Sequence, residues 1–143
     1  MTTVGDLRAI DDLLSLPRVE RTALRLVYAA DYYDGPLSGL LVYQDTLCWF
    51  EAYVHHPLDD DDRIYMIIAL SPEQREQEEH WHALFQEKVG RHWDFDYEEQ
   101  GGGLVGIARR IAPPEAHHEF YEQYNSRQPR DLSPNEVLGW FTM

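Results

Sequence analysis

The chain is short of basic residues, nearly free of cysteine and without any long apolar run. Lys and Arg number 12 against 26 Asp and Glu, for a formal charge of −14, so bulk electrostatics argue against nucleic acid or an anionic membrane as a partner. The single cysteine, Cys48, excludes a disulfide framework and fits a reducing compartment. No apolar stretch approaches the ~18 residues of a membrane span, and the first residues lack the charged-then-apolar pattern of a secretion signal. A cytoplasmic location is therefore expected. Glycine clusters at Gly101, Gly102, Gly103 and Gly106, but no Lys-Ser/Thr follows and no strand-to-helix setting frames it, which excludes a phosphate loop or a dinucleotide fingerprint. Gly-x-Ser-x-Gly is also missing, so the familiar signatures of a conventional enzyme are not found.

What the chain does have is aromatic and apolar bulk: 4 Trp, 9 Tyr and 5 Phe within a 43% hydrophobic composition. Over 143 residues this supports a folded α+β protein in one domain, 1–143, with a core that needs neither disulfide nor metal. The densest β pattern lies between Asp34 and Leu70. Leu37–Tyr43 and Thr46–Val54 read as a hairpin around Gln44-Asp45, with Thr46 as an alternative third loop residue. In the second of these strands Cys48, Phe50, Ala52 and Val54 are expected on the core side and Leu47, Trp49, Glu51 and Tyr53 on the other. Arg63–Leu70 is almost continuously apolar, as in a central strand covered on both sides. Arg18–Tyr33 fits either period, and a strand over about Ala23–Ala30 is preferred because sequential strands usually neighbour one another. The expectation is an antiparallel sheet of about four to six strands, a meander around residues 24–70, with helices packed on one face.

Helices are signalled elsewhere. Thr3–Leu16 reads as an amphipathic helix closed by Pro17, and Ser71-Pro72-Glu73-Gln74 is a capping box with proline at the first helical position. The second helix should run to about Val89 and stop at Gly90. Its apolar stripe is Trp81, Leu84, Phe85 and Val89. Its first two turns are polar, so they are expected to overhang into solvent, Glu78 and Glu79 included. His92–Tyr97 alternates aromatic and acidic residues, as an edge strand or a clamped loop, and Glu98–Gly103 reads as a polar bend. Leu104–Ile111 reads as a strand broken or bulged at Gly106. Pro113-Pro114 opens a helix with Ala116, Phe120 and Tyr124 on its buried side. Ser133–Glu136 repeats the capping-box pattern, but the Val137–Phe141 tail is too short for much helix and should dock on the body.

The candidate chemistry is sparse. Cys48, on an apolar strand face, reads as an inert core thiol. Glu79-x-x-His82 and Glu115-x-x-His118 have the spacing by which one helix offers a carboxylate and an imidazole to a metal, the arrangement of carboxylate-bridged bundles. This supports an alternative, a metal-dependent hydrolase or other metal-binding protein using Glu79, His82, Glu115 and His118. Otherwise no cofactor is expected. The preferred reading is a small acidic interaction domain, one that binds a basic protein through Asp59, Asp60, Asp61, Asp62, Glu78, Glu79, Trp93, Asp94, Asp96 and Tyr97, because acidic charge speeds encounter with a positive surface and aromatic residues anchor interfaces. In general character (size, acidity, antiparallel sheet, aromatic-rich edges) the chain resembles small bacterial immunity or antitoxin-type binding proteins, a likeness that assigns no role to any residue.

Overall fold

The structure, a computed structural model, describes residues 1–32, 36–53, 63–90, 94–100, 103–109, 114–126 and 130–143. Its centre is a five-stranded antiparallel sheet of order β1-β2-β3-β4-β7, formed by β1 (Leu24–Tyr32), β2 (Pro36–Tyr43), β3 (Thr46–Ala52), β4 (Ile64–Ala69) and, after an excursion, β7 (Val137–Thr142). The α+β class and the meander follow the sequence pattern, and the ambiguous Arg18–Tyr33 stretch supplies a strand. Gln44 and Asp45 have φ of 50° and 60°, with Tyr43 paired to Thr46 across them. Both positive values belong to a two-residue type I′ turn, formed here without glycine.

Both sides of the sheet are apolar. Leu41, Cys48, Phe50, Ala52, Tyr65, Ile67 and Phe141 form one core cluster with Val19 and Leu24, and the Tyr65 and Phe141 rings stack at 5.0 Å. Leu40, Trp49, Met66 and Ile68 are also buried, so β3 is covered on its second side as well. β4 lies between β3 and β7 and is buried from Ile64 to Ile68, as its continuous hydrophobicity implied.

The N-terminal stretch departs from the sequence reading. Thr3–Leu16 is not one helix but a 3₁₀ turn, Val4–Asp6, followed by the short α1, Ile10–Leu14. Backbone demands elsewhere break it: the N–H groups of Val4 and Gly5 donate to the carbonyls of Asn135 and Ser133, both at 2.9 Å, and Val137 N–H donates to the Thr2 carbonyl at 2.8 Å. Asp12 then caps α1 by accepting the N–H groups of Arg8 and Ala9. The tail beyond Ser133 docks on the body, as its shortness implied, and does so as strand β7, because pairing with β4 satisfies its backbone in register from Ile64↔Thr142. The outer edge of β7 is covered in turn: Val19 N–H donates to the Trp140 carbonyl and Trp140 N–H to the Pro17 carbonyl.

Helix α2 (Pro72–Lys88) begins as predicted, with Gln74 N–H donating to Ser71 Oγ at 3.2 Å and Ser71 N–H donating to Gln74 Oε1 at 2.9 Å. It ends on Gly90, whose φ of 88° lets its N–H reach the Phe85 carbonyl.

The chain gathers into two compact units, one of Met1–Glu78 with Pro129–Met143 and one of Glu79–Gln128. The second contains the end of α2, an antiparallel hairpin of β5 (Asp94–Gln100) and β6 (Gly103–Arg109), and α3 (Pro114–Ser126). Phe85 meets Phe120 at 5.2 Å and Trp81 meets Tyr124 at 5.3 Å, so the stripes predicted on both helices face each other. Glu98–Gln100 extend β5 instead of forming a bend, and Gly106 pairs with Tyr97 in an unbroken register instead of bulging.

Candidate functional site

The most buried charge among the described residues is Glu78, on the first half of α2 and 2% exposed. The polar first turns of α2 were expected to overhang into solvent, and this residue corrects that expectation: the carboxylate accepts a hydrogen bond from Arg130 Nη1 within the same unit. The Arg130 guanidinium also lies 4.4 Å from the centre of the Trp49 ring. Pairing and cation–π contact together compensate the burial of two charges. The N–H of the Trp49 indole and the Nε–H of Arg130 are buried with no acceptor among the described residues. Neither Trp49 nor Arg130 was singled out from sequence, and no local pattern marks them, since Arg130 is 52 positions from Glu78.

A second polar knot sits where α2 begins. Asn135 Nδ2 donates to the Ala69 carbonyl at 2.7 Å and to Gln74 Oε1 at 2.6 Å, so the helix-capping glutamine also ties α2 to the chain entering β7. This is a positioning device with no reactive group.

The remaining sequence candidates divide by exposure. Glu79 is exposed on α2, as are Glu73, Glu76 and Glu87 on the same helix, and none of these makes an ion pair among the described residues. Glu115 and His118 are exposed on α3, where His118 faces Glu122 at 3.9 Å. His82 is half-buried, and desolvation holds its imidazole below the usual value of 6.5. Among the described residues no three His, Cys, Asp or Glu side chains gather as a metal-binding group, so Glu79, His82, Glu115 and His118 form no such group. Asp94, Asp96 and Tyr97 lie in β5 at register positions opposite Arg109, Ile107 and Gly106. Asp59, Asp60, Asp61, Asp62 and Trp93 lie outside the described residues, as do His55 and His56.

Cys48 is fully buried, and burial pushes its thiol up, opposed by the positive charge of Arg75. Such a thiol is a poor nucleophile at neutral pH. In the second unit, a small pocket lined by Lys88, Ala116, Glu119, Phe120 and Gln123 has charges of both signs and no group set for chemistry. Among the described residues no helix is long and apolar enough to cross a membrane. No protein-family model matches this chain, no curated protein matches it and no solved structure matches it.

Proposed function

We propose that this chain is a small acidic interaction domain that binds a basic protein. The observation that supports the reading is the set of exposed carboxylates along α2, Glu73, Glu76, Glu79 and Glu87, on a chain of formal charge −14. Unpaired exposed charge of one sign contributes little to folding, but it raises the encounter rate with a surface of the opposite sign. Asp59–Asp62, with Trp93, Asp94, Asp96 and Tyr97, supply further acidic groups and the aromatic anchors on which interface energy usually concentrates. Glu78 has no part in this surface, because its carboxylate is engaged with Arg130. The test is capture from the native host on the immobilised chain at low and raised salt, with bound proteins identified by mass spectrometry. A basic protein released by salt is the expected result, and changing Asp59–Asp62 together to Asn should slow its association. Recovery of neutral or acidic proteins alone overturns the reading.

A further inference from the structure

The edges of the described strands are not equally protected. An unpaired strand edge exposes a row of N–H and C=O groups, and proteins block it with bulges, covering segments, charge or proline. At one side of the five-stranded sheet, β1 carries register shifts between Leu26 and Tyr28 and again between Ala29 and Asp31. At the other, β7 is covered by the segments around Thr3 and Arg18. In the two-stranded sheet, β5 carries Asp94, Asp96, Glu98 and Glu99. The β6 strand (Gly103–Arg109) has fewer of these devices: its one charge is the terminal Arg109, it contains no proline, its pairing with β5 is unbroken, and no other strand pairs with it among the described residues.

We propose that the outer edge of β6 pairs with β6 of a second copy of this chain, antiparallel about a twofold axis at Gly106. This goes beyond the acidic-surface reading and does not depend on it. The choice of a second copy rests on charge at the facing positions. In the register that uses the whole strand, Val105 of one copy faces Ile107 of the other, Leu104 faces Ala108, and Arg109 faces Gly103, so no like charges oppose. The same operation on β5, centred at Tyr97, sets Asp96 against Glu98 twice over, which repels. Gly106 at the axis suits a close approach of two backbones. Two copies joined in this way make a four-stranded ribbon, which is more stable than an isolated hairpin. Its two outer edges are both the acidic β5, so assembly closes at the dimer.

Sedimentation of the purified chain over a wide concentration range tests the pairing without any partner present. The mass should rise from 16.8 kDa to twice that value, and hydrogen exchange should show amides of β6, but not of β5, gaining protection as concentration increases. Val105→Lys with Ile107→Lys sets like charges face to face across the twofold and should leave a monomer at every concentration. The same lysines stand opposite Glu98 and Asp96 within the hairpin, which favours its folding. Val105→Lys with Ile107→Glu places opposite charges across the axis and should keep the dimer. A wild-type chain that stays monomeric with no concentration-dependent protection in β6, a Lys/Lys variant that still dimerises, or growth past the dimer would each overturn the proposal.

Discussion

Glu78 stands on the helix face that leads toward Trp81 and Phe85, and its burial illustrates how far a charge can be read from its neighbours alone. The polar sequence around it points to solvent and could not supply the arginine that makes burial tolerable, because Arg130 reaches it only through the fold. Removing that arginine takes the positive charge away from a buried carboxylate, so Arg130→Met should cost about 3–5 kcal/mol in chemical denaturation, while changing Glu78 and Arg130 together to Met should recover most of the loss. His82 gives a pH signature of known sign. Its folded-state value lies below the ordinary 6.5, so its contribution to stability is present above that pH and is lost as pH falls through the folded value. Melting temperature should therefore decline on mild acidification, and His82→Gln should flatten the decline in that window.

Among the elements, strands and helices with strong local grammar were legible: the Ser71 capping box, the alternation of β3 and the unbroken apolar run of β4 each carry their own cause. What misled was grammar overruled from a distance. Thr3–Leu16 has the period of one helix, yet the amides of Val4 and Gly5 are taken up by the Asn135 and Ser133 carbonyls, while the tail after Ser133 docks as its shortness implied, held by Ala69, Gln74 and β4. The turn at Gln44-Asp45 holds two non-glycine residues at positive φ. Asp45→Gly should thus raise stability by about 0.5–1 kcal/mol in thermal or urea unfolding. Glycine is required elsewhere: a Cβ on Gly139 would come within 2.6 Å of the Pro17 carbonyl, and one on Gly39 would run into the Tyr28 carbonyl. Gly139→Ala is expected to destabilise by about 1–3 kcal/mol, with lost protection of the Val19 and Trp140 amides as the local readout.

For the whole molecule, the acidic surplus was legible at once, but composition gives the sign of a field and not the shape of any surface that would meet it. Changing Glu73, Glu76 and Glu79 together to Gln should flatten the salt dependence of partner association while altering stability by no more than about 0.5 kcal/mol, the usual range for exposed positions. The order of the chain has a kinetic consequence as well. Glu79–Gln128 is one continuous insertion between β4 and β7, so the last strand must find its neighbour across the longest gap in the sheet. Closing a flexible gap costs more entropy as it lengthens, by roughly 0.6 kcal/mol per doubling. Order formed early in the insertion shortens the free chain to be closed, and the helix pair would then set the pace at which the sheet is completed. Phe120→Ala, a lesion confined to the insertion, is expected to slow the refolding of Val137–Thr142 onto Ile64–Ala69, seen as delayed amide protection in pulse-labelled β7.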